Sequence, residues 1–245
     1  MSLVLSCRDL GVLVSQDLKP TAHIKQMVAS AHRRANAILR SFWSGDIETL
    51  IRAFNVYVLS LLEYNSTVWS PQEKQDIECI ERVLHRYPKR LPGLKSYSYK
   101  GRLKNWLNLT TLEMQRVHID LVWCYKIVFG LVDVNFDDFF TLAPLSQTRG
   151  HKHKLCKQRC SMNVGTSFFA NRVADSWNYL ADNITDFNSL PAFKFKRTIK
   201  LIDFTMFLKC DWYFQWLGLC ITLYYVCVQH TLWFQRIYPC TRRLK

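Results

Sequence analysis

The amino-acid sequence predicts a mainly α protein, a helical bundle with a short β-strand remnant at its N-terminus. Three observations carry that expectation. Apolar residues recur at helical spacing through most of the chain up to Gly130. The first positions instead hold short, β-branched apolar runs. Two Ser/Thr-x-x-Glu pairs stand where helices should begin.

Taken in order, residues 3–6 and 10–15 read as a strand pair, with Gly11 at a turn or bulge. After Pro20, Ile24, Met27, Val28, Ala31, Ala35, Ile38 and Phe42 follow one helix face, and Gly45 is a fitting stop. Asp46 can cap the next helix. That helix carries Leu50, Ile51, Phe54, Tyr57, Val58, Leu61 and Leu62, is apolar nearly all round, and should be the most buried element. Ser70-Pro71-Gln72-Glu73 reads as a capped helix start. Ile77, Ile80, Val83 and Leu84 form its inner stripe, and Pro88 and Pro92 end it. Thr110 and Glu113 form a second capping box, and the helix behind them runs to Gly130. Residues 131–165 read as an irregular connection. Helical patterns resume at Phe168–Leu180 and Leu190–Leu208, with Pro191 in the first turn of the latter.

Composition narrows the function classes. With 49% hydrophobic and 21% charged residues over 245 positions, the chain can bury a core and is no disordered tail. Its 9 cysteines are odd in number and scattered, which excludes a disulfide scaffold and fits reduced thiols in a nuclear or cytoplasmic protein. The apolar run Leu3-Val4-Leu5 breaks at Arg8-Asp9, short of the ~7–15 residues of a signal peptide.

The formal net charge of +14 favours polyanionic partners, because Lys and Arg displace counterions condensed on phosphates. Its distribution is uneven. No acid occurs from Arg82 to Leu112, where Arg82, Arg86, Lys89, Arg90, Lys95, Lys100, Arg102 and Lys104 alternate with Tyr87, Tyr97, Tyr99 and Trp106. Acids are again absent from Thr141 to Ala174, which holds Arg149, Lys152 and Lys154. Basic groups for phosphates and rings for bases suit a single-strand or hybrid-duplex surface. The competing expectation is solvated loops whose aromatics belong to the core.

Two constellations invite catalytic or metal chemistry. Asn135-Phe136-Asp137-Asp138 has paired acids but lacks the aromatic two places before Asp137 that a polymerase metal box carries. His151, His153, Cys156 and Cys160 are zinc ligands by type, yet their spacing is not that of a finger. No cofactor is expected and no small-molecule substrate is evident.

Four segments recur in a known order: Asp9–Leu18 with His23 and Ile24; Leu62-Glu63-Tyr64 with Val68-Trp69-Ser70-Pro71; Thr148–His151; and Asn171-Arg172-Val173 with Trp177-Asn178. Together they resemble the C-terminal part of a LINE-type, jockey-like non-LTR retrotransposon reverse transcriptase. The resemblance covers about residues 7 to 200. It implies the stretch that follows the polymerase active site, a helical thumb that grips template–primer duplex, with a later segment that binds the element's RNA. Arg33, Arg34 and Arg40 would then face the duplex backbone, and catalytic carboxylates would lie outside this chain. One departure is Leu180-Ala181-Asp182, where the family carries Leu-Pro after its Trp-Asn.

The expected organisation is a strand remnant of the palm (1–18), a helical thumb-like domain (19–130), a basic connection with C-terminal helices (131–208) and an apolar tail (209–245). Residues Trp212–Phe234 contain no Asp, Glu, Lys or Arg over 23 positions, which is long enough to span a bilayer. The alternative function is therefore a membrane-associated helical protein anchored by residues 212–234. Gln215, Thr222, Gln229, His230 and Thr231 weigh against a span.

Overall fold

The computed structural model describes residues 6–42, 45–144, 151–160, 163–181 and 192–210. It is a mainly α structure with one two-stranded antiparallel sheet. Strand β1 (Ser6–Asp9) pairs with β2 (Val12–Ser15), with Cys7 opposite Val14 and Asp9 opposite Val12. The expected partner strand at 3–6 thus gives way to 6–9, and residues 1–5 lie outside the described residues. The reason is the turn. Leu10 and Gly11 both have positive φ, 43° and 85°, the tight two-residue geometry that matches strand twist. The Tyr64 hydroxyl pins it by donating to the Leu10 carbonyl at 3.0 Å.

Helix α1 (Thr21–Ser41) buries Ile24, Met27, Val28, Ala31, Ala35 and Ile38, as the spacing predicts. Phe42 departs from that stripe: it caps the helix in an extended conformation and is exposed. Asp46 caps α2 (Ile47–Phe54) by accepting from the Thr49 amide at 3.0 Å. The helix continues through a π turn, Asn55–Leu59, into α3 (Ser60–Glu63). The wider turn rotates the register, so Val56 and Tyr57 face solvent while Val58 and Leu62 stay buried. The element expected to be the most buried therefore has an exposed apolar side.

Trp69, at the end of α4 (Ser66–Trp69), is buried and donates its indole N–H to the Tyr64 carbonyl at 2.7 Å. Ser70 ends that short helix, Glu73 is extended, and α5 starts at Lys74 (Lys74–Lys89), not at Ser70. No side-chain capping bond forms there. Instead Asp76, in the first turn, accepts from the Thr21 hydroxyl at 2.7 Å. Ile77, Ile80, Val83 and Leu84 are buried as expected, and the helix runs past Pro88 to Lys89. A short turn, α6 (Tyr99–Gly101), leads into a second π turn, Arg102–Leu107.

Helix α7 (Leu112–Val128) is capped by Thr111, one residue after the expected Thr110; its hydroxyl accepts from the Met114 amide at 3.2 Å. Glu113 does not close a box, because its own amide is taken by the buried Glu81 carboxylate at 3.0 Å. Gly130, with φ of 62°, ends the helix. Residues beyond it are irregular but not a mere connection. A bridge joins Leu142 to Leu155, and Phe140, His151 and Leu155 are buried. Helices α8 (Asn163–Ser167), α9 (Phe169–Asn178) and α10 (Ala192–Ile199) follow. The last pattern was expected to reach Leu208, but α10 stops at Ile199 and a 3-10 turn, Thr205–Phe207, buries Phe204 beside it. Pro191 lies outside the described residues.

The described elements through Leu208 belong to one compact unit with two hydrophobic clusters. The first gathers Val12, Ile24, Leu62, Trp69, Leu84 and Leu112; the second gathers Leu121, Tyr125, Trp177, Phe195 and Phe204. Helix α7 contributes to both, Leu112 to the first and Leu121, Cys124, Tyr125 and Ile127 to the second. Among the described residues no helix is long and apolar enough to cross a membrane; 212–234 lie outside them.

Candidate nucleic-acid interface

Helices α1 and α5 lie side by side and run parallel. Thr21 meets Asp76 near their starts, and Asn36 accepts a hydrogen bond from Arg90 near their ends. The parallel course follows from the intervening chain, which uses α2, α3 and α4 to return before α5 begins. Along the seam sits His32. Burial lowers its pKa first, and the Arg86 and Arg82 charges lower it further. His85 on α5 is lowered for the same leading reason, then by Arg102, Lys89 and Arg86. Arg82 and Arg86 thus lie within electrostatic reach of His32, and Lys89 and Arg86 within reach of His85.

Arg33 and Arg40 flank Asn36 at helical spacing on α1, and Arg82, Arg86 and Lys89 repeat at helical spacing on α5; all are exposed. Arg34 is different. It is two positions from Asn36, hence on the opposite side of α1, and donates to the Tyr57 carbonyl at 3.0 Å. Arg102 is a correction to the expected set. It is buried, and its guanidinium donates to the Leu94 and Tyr97 carbonyls. Burial lowers its pKa, but a guanidinium stays charged; it fixes a loop and does not meet solvent phosphates. Lys100 and Lys104 are exposed on that same segment.

The interleaved aromatics divide evenly. Tyr87 is buried, stacks on Phe54 at 4.3 Å and donates to the Leu50 carbonyl at 2.8 Å. Tyr99 turns inward and donates to Glu81. Tyr97 and Trp106 face outward. Lys152, exposed, and Lys154, half-buried, sit with the second cluster rather than at the α1–α5 seam, and Arg149 lies outside the described residues.

The four candidate metal ligands do not assemble. His151 is buried, with Nε2 3.1 Å from the Trp177 carbonyl and its ring edge-on to that indole. His153 packs edge-on against Phe129, Cys156 is exposed, and Cys160 accepts from the Asn171 amide. Among the described residues no group of three potential ligands could hold a metal ion. Asp137 and Asp138 sit exposed on a single 3-10 turn.

The recurring segments turn out to be tertiary joints. The Leu13 amide donates to His23 Nδ1 at 3.2 Å, and His23 packs on Trp69. Arg172 clasps Asp120 with two hydrogen bonds, 2.7 and 2.9 Å, and also donates to the Thr67 and Ser167 carbonyls. Three of the four segments thereby meet around a cleft of about 740 Å³, walled mainly by apolar side chains such as Val68, Trp123, Val132, Phe168 and Phe169. Spacing alone could not have found His32 or Asn36 as seam residues; only the packing of α1 on α5 places them there.

These features define a mainly α protein with a basic seam between two parallel helices. The chain belongs to the same family as the uncharacterized protein B0403.1 of Caenorhabditis elegans. The two are 30% identical over 137 residues, which is 55% of this chain and 68% of that protein. No family model matches the chain, and no solved structure does.

Proposed function

We propose that this chain is the nucleic-acid-holding, thumb-like part of a reverse transcriptase of the non-LTR retrotransposon type, gripping template–primer duplex or element RNA along the α1–α5 seam. The chemistry is electrostatic clamping, not catalysis. The observation that carries it is geometric: exposed Arg33 and Arg40 flank Asn36 on α1, Arg90 at the end of α5 bonds that Asn36, and Arg82, Arg86 and Lys89 are exposed along α5. Basic residues in a last helical turn also offset the helix dipole, by roughly 0.3–1 kcal/mol each. That accounts for Arg40, Arg86 and Lys89 but not for Arg82, which lies mid-helix.

If Arg33, Arg40, Arg82, Arg86, Lys89 and Arg90 each meet one phosphate, the logarithm of affinity should fall with the logarithm of salt at a slope near −5 for a duplex, from roughly −0.9 per phosphate. Fluorescence anisotropy of a labelled RNA–DNA hybrid against potassium chloride measures it. Replacing Arg82 and Arg86 together by Gln should flatten the slope by about 2. A slope near zero in the parent chain, or one unchanged by the double variant, overturns the proposal.

A further inference from the structure

Beyond the seam, the segment Leu94–Leu109 presents two aromatic rings to solvent. Tyr97 is 45% and Trp106 38% exposed, and their rings meet at 70° with centroids 6.1 Å apart. Two rings set nearly at right angles form an open corner. A planar base laid on one ring face would meet the edge of the other.

The corner is held from beneath. The buried Arg102 guanidinium donates to the Leu94 and Tyr97 carbonyls and so fixes the loop that carries Tyr97. Ser98 caps the following turn by accepting from the Gly101 amide at 3.1 Å. Leu103 and Leu107 are buried in the first cluster on either side of Trp106, and the Leu109 amide returns to the Leu103 carbonyl at 3.0 Å. Both rings are therefore presented by backbone that the core already orders, so a ligand meets them without first ordering a loop.

The surroundings select the ligand's chemistry. Lys95, Lys100 and Lys104 are exposed on this segment, and no acid occurs from Arg82 to Leu112. Tyr99 packs its ring on His85 at 4.9 Å, and His85 in turn feels Lys89, Arg86 and Arg102. The corner thus adjoins the basic end of α5. An apolar protein partner would gain nothing from the cations, whereas a polyanion with π faces uses both features.

We propose that Tyr97 and Trp106 form a stacking site for an unpaired nucleobase, with Lys95, Lys100 and Lys104 toward the adjoining phosphates. It takes single-stranded nucleic acid leaving the seam. The inference rests on the reading of the seam as a nucleic-acid surface, and its test separates the two.

Binding of the full chain is compared for a blunt hybrid duplex, the same duplex with a six-nucleotide overhang, and that overhang with its bases removed to leave abasic sugar-phosphate. The intact overhang should bind about tenfold tighter than the blunt duplex, and the abasic overhang should lose most of that gain, since stacking supplies it. Tyr97→Ala with Trp106→Ala should abolish the difference and leave the salt slope unchanged. Tyr97→Phe with Trp106→Phe, which keeps the π faces, should retain it. Equal binding of intact and abasic overhangs overturns the stacking site while the seam stands. Overhang preference with no blunt-duplex binding overturns the seam and keeps the stacking site. Binding of neither overturns both.

Discussion

Arg172→Met removes the clasp that joins α9 to α7 and to the chain at Thr67. The arginine and Asp120 side chains are only 13% and 10% exposed, and the guanidinium spans both carboxylate oxygens. Methionine keeps much of the volume but removes the carboxylate's hydrogen-bonded counter-ion and leaves only the Arg116 charge to offset its burial. Breaking one side of a buried pair costs about 3–5 kcal/mol. The carboxyl can escape by taking a proton, which at pH 7 costs about 4 kcal/mol from an ordinary pKa near 4, so the two limits agree. Burial already pushes Asp120 upward against the pull of Arg172's hydrogen bonds and charge. Without Arg172 its folded-state pKa rises further above the unfolded value. The native state then binds more protons than the unfolded state between those two values, and stability falls as pH rises through that window. The variant should accordingly lose about 3–5 kcal/mol at pH 7 and less at pH 5, measured by urea unfolding followed by circular dichroism. Adding Asp120→Leu to Arg172→Met should recover at least ~2 kcal/mol, because the orphaned charge is then gone. A single-variant loss under ~1 kcal/mol, or no coupling between the two positions, refutes the clasp.

Three further outcomes follow from the same geometry. His118, whose pKa burial and then Lys200 push down to about 4, should draw stability away as pH falls from 6.5 toward 4, because the unfolded state binds the extra proton; allowing for its partly exposed ring, the loss at pH 5 is roughly 1–2 kcal/mol, and His118→Gln should remove that pH dependence in urea titrations. Arg102→Met should cost roughly 1–3 kcal/mol of stability by freeing the Leu94 and Tyr97 carbonyls while leaving the duplex salt slope unchanged, whereas Lys89→Gln should leave stability nearly unchanged and flatten that slope by about 1. His151→Ala should cost roughly 2–4 kcal/mol as a core truncation, and a chelator should leave the parent's melting temperature unmoved; a drop on chelation would restore a structural metal.

Local physics made much of this protein legible from its residues. The buried stripe of α1, the Asp46 cap, the inner face of α5 and the Gly130 stop depend on spacing, capping chemistry and positive φ, all of which act over a few residues. The errors arose where a distant partner outbid the local signal. Ser70 to Glu73 has the composition of a helix start, but Glu73 is extended, α5 begins at Lys74, and its first turn is tied through Asp76 to the distant Thr21. Glu113 belongs to a capping pattern, yet its amide faces the buried Glu81.

Charge behaved in the same way. By itself the sequence determined that the chain is mainly helical, basic, and free of acids from Arg82 to Leu112, because composition and period are properties of the chain alone. Which cations are free to act was decided only by tertiary structure. Arg82 and Arg86 stay exposed near His32, Arg82 with Nε on the Glu78 carbonyl of its own helix, whereas Arg102 is buried against backbone carbonyls and Arg172 is locked onto Asp120. An arginine in a sequence carries the same charge everywhere. Burial and the nearest acceptor decide whether that charge holds the fold together or remains available to a ligand.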